Sequence, residues 1–256
     1  MTVAIKGGCA LYLALLAALG VGGATILGVL VGFVLRDTAK RFSNVVLSFA
    51  AGVMLAAAIF GLILPATEQG GLDLLLGIVG VLLGAVCLAF AERLVPYMAR
   101  IAGCEPSADG SVEGVMLFVL AIAIHNLPEG LAAGVGFGAG EVGEAMLIAG
   151  GIALQNVPEG MVIVPPMLAS GVRPLRTFLL AALTGVVEIL GTLIGYFAVR
   201  IAAVMLPFAL GFAGGTMLYV IGDEMIPRTH KGENGRASTF SLLVGFCLML
   251  VFCVLV

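Results

Sequence analysis

The sequence predicts an all-α integral membrane protein, an eight-helix transmembrane bundle with both termini extracytoplasmic. Three observations carry this. Of the 256 residues, 61% are hydrophobic and only 11% charged, and the mean hydropathy is +1.21; a soluble domain carries roughly 25% charged residues. The few charges divide the chain into eight long apolar runs. The basic residues fall almost wholly on alternate loops.

The spans follow in order, with charges as punctuation. The first run, 7–35, is uncharged and too long for the apolar part of a cleaved leader, so it reads as the first span despite Lys6 before it. The second is 42–67, between Arg41 and Glu68, and the third is 74–91, between Asp73 and Glu92. The fourth, 114–140, is interrupted only by Glu129; the fifth, 145–172, only by Glu159; the sixth, 177–199, only by Glu188. The seventh is 201–222 and the eighth 237–256. Each is close to or above the roughly 20 residues a helix needs to cross a bilayer core. Helices satisfy every backbone N–H and C=O internally, and none of these runs shows the alternation of a membrane β-strand. The one long polar connector, 103–112, is too short to be a domain, so residues 1–256 read as a single transmembrane domain.

Ten of the twelve Lys and Arg lie on odd-numbered loops: Arg36, Lys40 and Arg41; Arg93 and Arg100; Arg173 and Arg176; Arg228, Lys231 and Arg236. The other side keeps Lys6 and Arg200, with Glu68, Asp73, Glu141 and Glu144. The positive-inside rule places the odd loops in the cytoplasm. An even number of spans agrees, since it puts both termini on one side. No basic patch points to nucleic acid, and no two of Cys9, Cys87, Cys104, Cys247 and Cys253 form a CxxC pair.

Glu129, Glu159 and Glu188 all lie near the middle of their spans. An ionisable group there costs roughly 2.5–3.5 kcal/mol even on lenient insertion scales. One such acid could be a structural contact between helices. Three at one depth, with no Lys or Arg beside them, point to a shared hydrated site with a bound cation as counter-charge.

Around two of these acids the sequence repeats. His125-Asn126-Leu127-Pro128-Glu129-Gly130 is followed thirty residues later by Gln155-Asn156-Val157-Pro158-Glu159-Gly160. At 100° per residue, His125, Asn126 and Glu129 share one face, and so do Gln155, Asn156 and Glu159. A short connection at 141–144 makes these helices antiparallel neighbours, so the faces can converge. Pro128 and Pro158 cannot donate to the carbonyls of Ile124 and Leu154, which predicts kinked, locally broken helices lining a cavity. The glycines after the acids allow a helix or an ion to come close. Imidazole, carboxylates and side-chain amides together suit borderline divalent transition metals, whereas Ca would want oxygen alone.

The paired hexapeptides resemble the signature of the ZIP (Zrt/Irt-like) metal transporter family, and in particular its bacterial, GufA-like branch, whose fifth-span motif begins with Gln. The resemblance covers nearly the whole chain and implies eight spans, extracytoplasmic termini and a binuclear site. One metal would be held by His125, Glu129, Gln155 and Glu159, the other by Asn126, Glu129, Asn156, Glu159 and Glu188. Met54 matches a position that can add a thioether, although a methionine there is also an ordinary core residue. The chain departs from the pattern at Asn156, where an Asp is expected; at Ile189, where a Pro is common; in a connector without a His-rich stretch; and at Arg228, where an acid is expected. The segment Asp223–His230 resembles the family's cytoplasmic exit, with His230 either a transient ligand or a solvated loop residue.

These readings make the protein a multi-pass transporter of the cell (plasma or inner) membrane. It would import a divalent metal, zinc first and Fe2+, Cd2+, Mn2+ or Co2+ as related cargo, with no catalytic cofactor. No GxxxxGK[ST] loop is present, so the metal's gradient or an exchanged proton must supply the energy. Glycine-rich runs such as Gly20-Val21-Gly22-Gly23 permit close packing within the chain or a homodimer. Two rivals are weighed. A membrane-embedded metallohydrolase would need a fixed metal and a separate base, but there is no HExxH and only one intramembrane His. An organic-cation carrier would be expected to have aromatic lining, yet there is no Trp and no aromatic residue in either hexapeptide.

Overall fold

A computed structural model describes residues 7–68, 70–101, 112–139, 142–201, 203–230 and 235–255. The connector at 103–111 and the charges Lys6, Glu141 and Lys231 lie outside the described residues. Eight helices are long and apolar enough to cross a membrane, and no strand occurs among the described residues. They are α1 Gly7–Val34, α2 Arg36–Thr67, α3 Gly71–Ile101, α4 Val112–Ala139, α5 Val142–Ala169, α6 Pro174–Ile201, α7 Leu206–Thr229 and α8 Gly235–Leu255.

Charges mark the helix ends too tightly. α3, expected over 74–91, continues through Glu92 and Arg93 to Ile101. The seventh span, expected over 201–222, is displaced: Ile201 ends α6, Ala203–Met205 forms a 3-10 turn, and α7 starts at Leu206 with Pro207 in its first turn. α7 then passes through Asp223 and Glu224 to Thr229. Hydropathy reports the stretch that matches the hydrocarbon, whereas the helix goes on wherever its backbone bonds are still best made internally.

The motif prolines do not break their helices. α4 and α5 are continuous helices through Pro128 and Pro158. One missing bond is tolerated there because the flanking turns keep theirs. The irregular turns lie instead in α2 and α7, as π-turns at Ala57–Ile63 and Ile221–Met225, just ahead of Pro65 and Pro227. A wide turn makes room for the proline ring against the preceding carbonyls.

Four pairs of parallel helices build the bundle: α1 with α5, α4 with α6, α3 with α7, and α2 with α8. α1 also packs on α6, and α2 on α5. Hence α1, α4, α5 and α6 form one group of four, and α2, α3, α7 and α8 a second group beside it. Small residues set the separations. A methyl added at Gly130 would overlap the backbone carbonyl of Glu188, and one at Gly160 would overlap that of Thr25. The glycine after each motif acid therefore brings a helix backbone, α6 or α1, against the motif.

The outer faces are apolar. On α3, Leu75, Leu82, Val86 and Phe90 are 58%, 62%, 63% and 67% exposed; Phe240 and Val244 do the same on α8. In water a stripe of this size would be an aggregation liability. Against lipid tails it is the expected surface, and the chain is a multi-pass membrane protein.

Candidate metal centre

The motif residues are buried where α4, α5 and α6 meet. His125, Asn126 and Glu129 on α4, Gln155 and Asn156 on α5, and Glu188 on α6 are all buried, and Glu159 is half-buried. The two hexapeptide faces do converge. Glu188 lies between them and accepts hydrogen bonds from three helices. Asn126 Nδ2 donates to Oε1, Asn156 Nδ2 donates to Oε2 at 2.7 Å, and Thr25 Oγ1 on α1 lies 2.9 Å from each oxygen. Asn156 Nδ2 also reaches the carbonyl of Val21 at 3.2 Å. The Glu188 carboxylate is thus fixed by uncharged donors.

Acceptors are left over in this cluster. Asn126 Oδ1, Asn156 Oδ1 and Glu129 Oε2 are buried and have no hydrogen-bond partner among the described residues. A buried acceptor without a donor is costly. Several in one place, beside Glu159 and the wholly buried Gln155, make up a donor set suited to a divalent cation.

His125 turns toward a second cluster. Its Nε2 is 3.0 Å from Glu92 Oε1 on α3, and its Nδ1 is 3.5 Å from Glu224 Oε2 on α7. One ligand atom from each of Glu92, His125 and Glu224 fits within 4.8 Å of the others. Two carboxylates and an imidazole are a common zinc donor set. A cavity of about 50 Å3 joins the clusters, lined by His125, Asn126, Glu129, Glu159, Glu224 and Arg228 among others.

Two other candidates fall elsewhere. Met54 is buried in the main apolar cluster and is not among the cavity's lining residues. His230 uses both ring nitrogens locally: Nδ1 lies 2.9 Å from the Ile226 carbonyl oxygen, and Nε2 lies 3.0 Å from Thr239 Oγ1. It ties the end of α7 to the start of α8.

A family model described as ZIP Zinc transporter matches residues 102–252. The chain belongs to the ZIP family. Relatives of this ZIP chain include the zinc transporter GufA of Myxococcus xanthus, 38% identical over 93% of this chain and 96% of its own length. The zinc transporter ZIPB of Bordetella bronchiseptica is 35% identical over 89% of this chain and 76% of its own length. Human zinc transporter ZIP11 is 31% identical over 96% of this chain and 98% of its own length.

Sequence reasoning missed three residues of this ZIP site. In the sequence Glu92 reads as a span boundary, Glu224 as part of an exit segment, and Thr25 as one more residue of an apolar run. A signal existed for Thr25, which is the sole Ser or Thr in the first apolar run. For Glu92 the signal was weaker: the residues after it keep helical composition as far as Ile101.

Proposed function

We propose that this ZIP protein, acting as one transport domain over its whole length, carries divalent transition-metal cations, zinc first, across the membrane into the cytoplasm. The cavity supports the reading best. It runs from the unpartnered acceptors at mid-membrane to the Glu92–His125–Glu224 cluster, offering carboxylate, amide and imidazole ligands in succession. An ion moving along it exchanges water for Glu129, Glu159 and the amide oxygens, then passes to His125 and Glu224. A cation among the unpartnered acceptors would give Asn126 Oδ1, Asn156 Oδ1 and Glu129 Oε2 a partner.

The names of the relatives support zinc as cargo; the donor set also suits Cd2+, Fe2+, Mn2+ and Co2+. The positive-inside rule puts Arg36, Arg173 and the end of α7 in the cytoplasm, which supports release of the cargo on that side. On that topology the termini are extracytoplasmic and the second cluster is the inner one. The activity is transport, not catalysis. The relatives' names as zinc transporters support this reading.

Uptake into sealed proteoliposomes tests this directly, with Zn, Cd, Fe, Mn and Co compared for wild type and Glu159→Ala. The expected result is zinc uptake by wild type and its loss in the variant. No uptake of any of the five metals by folded protein in sealed vesicles would refute transport.

A further inference from the structure

Arg228 stands out as a cation on a cation's route. It follows Glu224 by four residues on α7, just past the π-turn at Ile221–Met225, and the charges of the two side chains interact. Glu224 belongs to the inner cluster with Glu92 and His125. Arg228 lines the central cavity with Glu224. It also lines a second, wider space of about 240 Å3, whose walls include Lys40, Ser43 and Pro166. Among the described residues, Arg228 and Val162 line both spaces. A guanidinium and one apolar side chain therefore stand between the cluster and the mouth.

We propose that Arg228 is the release element of the pathway: it serves as the internal counter-cation of Glu224 when the inner cluster is empty and drives a bound divalent ion on toward the cytoplasm when it is full. This rests on the transport reading above. Arg228 and the ion compete for one carboxylate. Arginine keeps its charge at every physiological pH, so the competition is constant. A unit charge about 6 Å from a divalent ion weakens its binding about tenfold even at the dielectric of water. Cargo leaving the cluster next meets Lys40 and Arg228 together, an arrangement that discourages its return. Loose holding at the inner cluster suits a transporter, which must let go of what it has bound.

The test is Co2+ binding to purified, folded protein, alongside initial rates of Zn2+ uptake in proteoliposomes. Arg228→Gln keeps the shape and removes the charge; Arg228→Lys keeps the charge. Arg228→Gln is expected to tighten Co2+ binding about tenfold and to lower KM and maximal uptake together. Arg228→Lys should behave as wild type. In a His125→Ala background the tightening should shrink, because it acts through the inner cluster. Unchanged or weaker Co2+ binding in Arg228→Gln would overturn the proposal, and so would Arg228→Lys matching Arg228→Gln. A merely structural role would weaken binding, not tighten it. If wild type itself fails to move zinc, the transport reading falls, while the Co2+ comparison still decides the role of Arg228.

Discussion

Replacing Thr25 with Val removes one hydroxyl and keeps the side-chain volume nearly constant. That hydroxyl lies 2.9 Å from both oxygens of Glu188 and ties α1 to α6 across the site. A hydrogen bond to a charged group contributes about 1.5–3 kcal/mol. The asparagine donors on α4 and α5 are already committed to Glu188, so they cannot replace it. For a chain of this size that loss corresponds to a fall in Tm of about 3–12 °C. If Glu188 must be held in one orientation to meet the cargo, the same energy lowers maximal zinc uptake about tenfold or more. The assays are thermal unfolding in detergent and initial uptake rate at matched protein density, with Thr25→Ser as the rescue. Wild-type stability and uptake in Thr25→Val would show that the bond holds nothing, and the account of how Glu188 is positioned would be wrong.

Other contacts in the bundle lead to further expected outcomes. Gly130→Ala places a methyl on the Glu188 carbonyl and should abolish uptake and destabilise the fold, whereas Gly150→Ala meets nothing within 4 Å and should raise stability by about 0.5–1 kcal/mol; thermal melts of both separate close approach from mere glycine content. Glu92→Gln removes a carboxylate facing His125 and should weaken Co2+ binding and slow uptake, with the Co2+ absorption spectrum reporting any change at the imidazole. His230→Ala, which breaks only local bonds, should keep more than half of wild-type zinc uptake; complete loss would make it part of the route.

Several features could be read from residues alone because each leaves a mark on composition or spacing. Eight helices followed from apolar length, and the meeting of the α4 and α5 faces followed from the repeated hexapeptide and the short turn between them. What was not legible depended on ambiguity in the same marks. A charge at the end of an apolar run can be a headgroup anchor or a ligand reached by a longer helix. Glu92 reads as a span boundary and Glu224 as part of an exit segment, and the structure brings both to His125. Proline gives equally little local information: Pro128 and Pro158 sit in regular helix, while Pro65 and Pro227 follow wide turns, and the difference depends on neighbouring helices. Thr25 was invisible because its importance lies in a partner 163 positions away.

The pairing of α2 with α8 carries a consequence for biogenesis. Gly52 on α2 rests against the backbone at Leu242 on α8, Gly245 rests against Phe49, and Ser241 hydroxyl donates to the Val45 carbonyl at 2.6 Å. These contacts join segments made 196 residues apart. A nascent chain stalled after α7 therefore has most of its ligands threaded into the bilayer, but the glycine seam of α2 still faces lipid. Assembly of that seam must wait for the eighth helix, a long delay of the kind that slows topologies rich in distant contacts.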